Sequence, residues 1–260
     1  MTESITAITL TRYRPLLVQR AMRSVQAQRT PVPVRHLVLV DDSPQTMAEL
    51  ERVHSDFPDC EIRYVPREAH EVSGPGRSSR LRNLGVQTSE GTWIAFLDDD
   101  NEWEPDHLAS LLACAHRAGV RAAYSEVGLV NSDGTPYLEP RWPWAKSTAE
   151  AEALYQEYVA KGVCVPGTNV IRDRPGLHEV PVDTSAWLLA RNLLLEVRFE
   201  DQFSERDAQG LVSEDDKLYY ELVRRGEPMA CTGRATLKYY LGGYSNSFET
   251  VDAQEQISWS

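Results

Sequence analysis

The chain has 260 residues and a formal net charge of -12, from 27 basic and 39 acidic residues, with a pI near 5.0. That length suits one large core or two modest domains, and the acidic balance argues against a protein that coats nucleic acid. No apolar run reaches membrane-spanning length, Met1 to Ser4 carries no signal-peptide pattern, and Cys60, Cys114, Cys164 and Cys231 are too scattered for a paired metal motif, so free thiols and a cytoplasmic location are expected.

Ile5 to Leu10 alternates and is β-branched, which predicts a first strand. Thr11 to Pro15 forms a loop, and Pro15 suits the first turn of a helix running to about Gln28. His36 to Val40 is a second strand ending in Asp41, Asp42 and Ser43. A helix over about Thr46–Phe57 and a weaker strand over Glu61–Val65 follow. This is a βαβαβ arrangement with mainly parallel strands.

Ser73 to Gly76 reads as a flexible turn, and Arg77 to Gly85 as a helix opening with positive charge. Arg77 and Arg80 share a face, whereas Arg82 lies elsewhere. The helix is either a salt-bridged surface element or an anion site for phosphates. Trp93 to Leu97 is a buried strand that stops in Asp98, Asp99 and Asp100. Three adjacent carboxylates repel one another unless solvent or a cation offsets the charge. They form either a solvated acidic turn or a divalent-metal site.

Pro105 starts a helix that stops at Gly119, and Ala122 to Val130 forms one strand or two short ones. Asn131 to Gly134 is a hairpin turn. No GxGxxG follows any strand, which argues against a dinucleotide-binding domain. Composition changes near residue 136. Ala149 to Ala160 is a helix, Lys161 to Val182 is a long loop or a loop with short strands, and Arg191 opens a short helix after an apolar run. Ser213 to Asp216 is a second acidic cluster, at a helix start, and Arg224 to Gly226 is that helix's end. Glu214 and Asp215 serve either helix-end electrostatics or as a general base. A strand around Ala235–Tyr240 and a polar loop close the folded part, and residues 251–260 are a frayed tail.

Taken together, these residues resemble the inverting, nucleotide-sugar-dependent glycosyltransferases of family 2, from Ile5 to about Ser247. The marks are Arg23 to Gln28, Val40 to Ser43, Leu97 to Asn101 followed by Pro105 and Leu108, Glu214-Asp215 before Leu218 and Gly226, and Arg80 to Gly85. The resemblance implies an α/β fold of GT-A type: a Rossmann-like nucleotide-binding sheet with a mixed acceptor-side half, in one compact unit. Residues 1–135 would bind the donor, and residues 136–250 the acceptor and the catalytic base. It further implies that Asp42 recognises the donor base, bordered by Thr9, Thr11 and Arg12 or Tyr13. Arg77 and Arg80 would contact base or diphosphate. Asp99 would face the ribose, and Asp100, with Asp99, would bind Mn²⁺ or Mg²⁺. Asp98 ranks below them. Asp215 would be the base, with Glu214 orienting it or touching the acceptor.

The chemistry is consistent with these roles. A leaving diphosphate needs its charge offset, and an inverting displacement needs a base on the opposite face. The chain departs from many relatives in having no histidine between Lys238 and Ser247, so Tyr240, Tyr244 or Ser245 would face the diphosphate instead. Trp142 and Trp144, with the 161–182 loop, are the candidate acceptor-side material. His107 and His178 are not expected to be ligands. The expected partners are a nucleoside-diphosphate sugar, favouring UDP, and a small-molecule or glycan acceptor, with no nucleic acid. Two other readings are a nucleotidyltransferase, for which Thr11 to Pro15 is a poor phosphate loop, and a non-catalytic sugar- or nucleotide-binding protein.

Overall fold

Ile5–Thr11 forms β1, the strand on which the first half of the sheet is built. The structure is a computed structural model that describes residues 2–68, 74–172, 181–210 and 212–242. β1 pairs in parallel with β2 (Val34–Asp41) on one side and with β4 (Trp93–Phe96) on the other, and β2 pairs in parallel with β3 (Cys60–Val65). Helices α1 (Pro15–Gln26), α2 (Pro44–Val53) and α3 (Pro75–Thr88) make the crossovers. Each opens on a proline, whose missing N–H costs nothing in a first turn. The same preference corrects one expectation. Pro75 and Gly76 are not part of a flexible turn but begin α3. α2 also ends earlier than expected, giving way to a tighter turn at His54–Asp56.

The second half is mixed. β5 (Glu102–Trp103), α4 (His107–Ala118), β6 (Ala122–Val130), α5 (Thr148–Ala160), β7 (Val170–Ile171) and β8 (Trp187–Ala190) follow in turn. Then come α6 (Arg191–Val197), α7 (Glu205–Gly210), α8 (Glu214–Arg225) and β9 (Met229–Tyr240). The sheet order is β3-β2-β1-β4-β8-β6-β9-β5, with β7 beside β6. β8 is antiparallel to both β4 and β6, while β9 runs parallel to β6 and antiparallel to β5. The α/β fold with a parallel half and a mixed half is therefore present in one continuous sheet. After β6, the chain reverses at Asn131–Thr135, with the Tyr137 amide donating to the Leu129 carbonyl at 3.0 Å.

β4 and β8 lie at the centre, and Ile94, Phe96, Leu188 and Leu189 are buried. A strand buried on both faces needs no polar alternation, which explains the apolar run before Asp98. Alternation still sorts the side chains. Phe96 packs edge-on against Phe199, and Asp98 meets Arg82 of α3, so both point to the face carrying α3, α6 and α8. Asp99 points the other way, toward the start of α1.

Candidate active site

β1, β2 and β4 end along one edge, where α/β sheets carry their chemistry. Asp99 is buried there. Its Oδ2 accepts from Thr11 Oγ1 at 2.7 Å, and its Oδ1 pairs with Arg14 Nη2 at 3.0 Å. Arg14 Nη1 reaches Asp100 Oδ2 at 2.8 Å, so one guanidinium spans two carboxylates. Burial pushes the Asp99 carboxyl up to about 7; Arg14 opposes that shift and Asp100 adds to it. Arg20 holds the Asp100 carbonyl at 2.5 Å, pairs with Glu102 at 3.0 Å, and lies 3.6 Å above the Tyr240 ring. The Tyr240 amide donates to Asn101 Oδ1 at 3.1 Å, which brings the end of β9 to the acidic turn.

The second acidic cluster arrives from the opposite face. Ser213 caps α8 in a reciprocal box with Asp216, placing Glu214 and Asp215 in the first turn. Ser213 Oγ also donates to Asp215. Arg82 joins the two clusters: Nη2 lies 2.9 Å from Asp98 Oδ1, and Nη1 pairs with Glu214. Only 7% of the Arg82 side chain is exposed. Burial raises the Glu214 carboxyl above its ordinary range, and Arg82 acts against that shift. A fourth carboxylate enters from the turn before β8. Asp183 accepts from the Ser185 amide at 2.8 Å, and Ser185 Oγ accepts from the Asp98 amide at 3.1 Å. Burial, then the charges of Asp98 and Asp215, hold Asp183 well above the usual carboxylate range. Asp98, Glu214 and Asp215 thus converge. Arg82, Asp183 and Ser185 complete the cluster; nothing in the local sequence singles out Asp183 or Ser185, and the sequence shows Arg82 as a concentrated helix charge without its partners.

The end of β2 separates two neighbouring carboxylates. Asp41 faces inward and pairs with Arg67 and with Arg77 Nε, the latter at 3.0 Å. Burial would raise Asp41, but these two guanidiniums hold it below its ordinary value. Asp42 leaves the strand at φ 46 and accepts from the Tyr64 hydroxyl at 2.8 Å. Tyr13 also has positive φ, at 58, and Arg12 packs over its ring at 4.5 Å. Two non-glycine residues in this sparsely populated region mark a held-open edge. Arg77 is buried and also donates to the Val65 and Pro66 carbonyls at 3.2 and 3.1 Å, so it braces Asp41 from inside. Arg80 is half-buried one helical turn further on. Thr9 is fully buried against His36 Nε2 at 2.9 Å and does not reach the edge, because Thr9 lies two residues before the strand ends.

Among the described residues, no group of three or more histidine, cysteine, aspartate or glutamate side chains is arranged to hold a metal ion. The donor set still fits a hard cation. Asp100 is a partly exposed carboxylate, and the guanidinium of Arg14 already stands where a positive charge is needed. Such cations are commonly held by one or two carboxylates together with substrate phosphates. His107 is buried, bonded to Thr236 at 2.8 Å and stacked on Trp103, a structural role. Trp142 is buried edge-on against Tyr158, while half-buried Trp144 packs against Tyr239. His178, Tyr244, Ser245 and the 251–260 tail lie outside the described residues. A cavity of about 210 Å³ lined by Met22, Gln28, His36, Phe57 and Cys60 lies at the amino end of β2, away from these carboxylates.

A half-parallel, half-mixed sheet with carboxylates at its strand ends is the GT-A fold. Residues 6–175 match glycosyl transferase family 2, and the chain belongs to that family. It is similar to the amylovoran biosynthesis glycosyltransferase AmsB of Erwinia amylovora, with 25% identity over 75% of this chain and 58% of AmsB. It is also similar to the succinoglycan biosynthesis protein ExoO of Rhizobium meliloti, with 32% identity over 45% of this chain and 31% of ExoO. Among solved structures, S. aureus TarS 1–349 in complex with UDP shares the fold at a TM-score of 0.58 and 15% identity, over 92% of this chain and 60% of that one. The chain therefore spans less than two thirds of each of these proteins.

Proposed function

We propose that the chain is a metal-dependent, inverting glycosyltransferase that moves a sugar from a nucleoside-diphosphate sugar, preferably UDP-linked, to a hydroxyl of a small-molecule or glycan acceptor. The observation that carries this reading is the junction at Arg82, which brings the strand-end carboxylate Asp98 and the helix-start pair Glu214-Asp215 into one site. Separate carboxylates for the donor diphosphate and for the acceptor proton are what an inverting displacement requires.

In this reading Asp42, steadied by Tyr64, reads the base beside Thr11 and Arg12. Asp99 is oriented by Thr11 toward the ribose, and Arg80 faces the diphosphate. Asp100 is the residue that would hold Mn²⁺ or Mg²⁺, with Asp99 behind it. The cation's contribution, when bound, is to offset charge on the leaving diphosphate. Asp215, held by Ser213, takes the acceptor proton as the hydroxyl oxygen bonds to the anomeric carbon and the C1–O bond to the diphosphate breaks on the far face. Glu214 is fixed by Arg82 and orients the base. Residues 1–135 would carry the donor, and residues 136–250 the acceptor and the base. The four free cysteines support a reducing, cytoplasmic setting, and no helix among the described residues is long and apolar enough to cross a membrane.

A thermal-shift screen of nucleoside-diphosphate sugars with and without Mn²⁺ tests the donor half. UDP-linked donors should raise the melting temperature in a saturable, Mn²⁺-dependent way. No stabilisation by any donor would contradict the reading.

A further inference from the structure

Arg14 is the one side chain described that reaches two members of the acidic triplet at once, through Nη2 to Asp99 at 3.0 Å and Nη1 to Asp100 at 2.8 Å. The three carboxylates differ in how they are held. Asp98 is 35% exposed but tied to the buried guanidinium of Arg82, and buried Asp99 is tied to Thr11. The Asp100 side chain is 22% exposed, and Arg14 is its charge partner. Arg14 itself is 43% exposed and sits in the loop between β1 and α1, immediately before Pro15. A long, half-exposed side chain on a loop can exchange one anion for another without moving the sheet.

We propose that Arg14 is an internal counter-ion which occupies Asp100 until a divalent cation and the donor diphosphate arrive together, so that donor and cation binding are coupled through its release. This rests on Asp100 being the cation ligand in the function proposed above. The physical reason is a competition. Asp100 cannot give its Oδ2 fully to a cation while Arg14 Nη1 is bonded to it. A guanidinium close to a newly bound dication is also repelled. Leaving Asp100 alone would cost Arg14 one of its two described carboxylate contacts. A diphosphate offers that guanidinium a bidentate replacement in the same place. Each ligand therefore lowers the cost of the other, and by linkage the coupling is reciprocal.

Mn²⁺ affinity, read by titration calorimetry or by the loss of the free-ion paramagnetic resonance signal, tests this without relying on turnover. Wild type, Arg14→Gln, Arg14→Lys and Asp100→Asn are compared with and without UDP. Wild type should bind Mn²⁺ weakly alone and at least about tenfold more tightly with UDP. Arg14→Gln should bind Mn²⁺ alone about threefold to tenfold more tightly than wild type, as expected for removing a half-exposed ion pair, and its gain from UDP should shrink. Arg14→Lys, which keeps the charge without the fork, should fall between them. A melting curve confirms that each variant is folded. If Arg14→Gln binds Mn²⁺ no more tightly than wild type while Asp100→Asn loses binding, the counter-ion role is overturned and the cation site stands. If wild type binds no Mn²⁺ even with UDP, the cation site fails and the coupling fails with it.

Discussion

Arg82 lies 2.9 Å from Asp98 and also pairs with Glu214, so one buried guanidinium ties the end of β4 to the start of α8. Burial alone would lower its pKa, but Glu214 and Asp98 raise it, so it stays charged. Replacing it with methionine leaves two carboxylates facing each other without a cation. Arg82→Met should cost about 3–5 kcal/mol of unfolding free energy. Arg82→Met combined with Glu214→Gln should recover part of that loss. Chemical denaturation checks both, and a cost below about 1 kcal/mol would remove Arg82 as the link.

Gly76 shows how the start of α3 is positioned. A Cβ there would lie 2.7 Å from the backbone carbonyl oxygen of Asp201. Backbone cannot rotate away as a side-chain tip can. Gly76→Ala should therefore displace the first turn of α3, which carries Arg77, and cost about 1–3 kcal/mol. A melting curve showing no loss would mean that this approach is looser than the structure has it.

Two buried histidines set an acid limit. Burial lowers both His36 and His107 from 6.5 to about 3. The unfolded chain therefore takes up protons first as pH falls. Each histidine should remove stability between pH 6.5 and about 3, at up to ~1.4 kcal/mol per pH unit. Asp99 works in the opposite direction. Its folded value of about 7 lies above the ordinary 3.8, so its burial penalty is relieved as pH falls between those values. Comparing wild type with His107→Phe, which keeps a ring against Trp103, isolates one histidine. The variant should lose less stability between about pH 6.5 and about pH 5 in urea unfolding, and equal losses would contradict the shift.

Trp142 and Trp144 should separate experimentally. Trp142 is buried, its ring centre 4.5 Å from that of Tyr158. Trp142→Ala should cost about 3 kcal/mol or more. Trp144 packs against Tyr239, which follows Lys238 on β9 near the acidic turn. Trp144→Ala should cost less stability and raise the acceptor KM, leaving UDP affinity unchanged. The reverse pattern would move the acceptor side elsewhere.

The parallel half was legible because each strand is an apolar or β-branched run, bounded by a proline-opened helix. β5 is two residues long, and β8 is a four-residue apolar run that passes directly into α6, so only their tertiary pairing defines them. The acidic clusters were legible as patterns, but the residues joining them were not. Helical spacing placed Arg82 off the Arg77–Arg80 face, and that is the face of α3 that meets α8 and Asp98. Asp41 and Asp42 are neighbours in sequence with opposite fates. The first is the last residue of β2 and is drawn inward to Arg67 and Arg77, whereas the second leaves the strand at positive φ. Periodicity shows which face a residue takes, but not which distant charge waits there.

In the proposed reaction Asp215 takes the acceptor proton. Asp215→Asn is close in size, and α8 is already capped through Ser213 and Asp216. UDP release is measured over a panel of hydroxyl acceptors with a UDP-linked donor, alongside donor affinity by calorimetry. Asp215→Asn should keep donor affinity within about twofold and lower transfer by about 10²–10⁴-fold. Transfer at the wild-type rate would contradict the assignment.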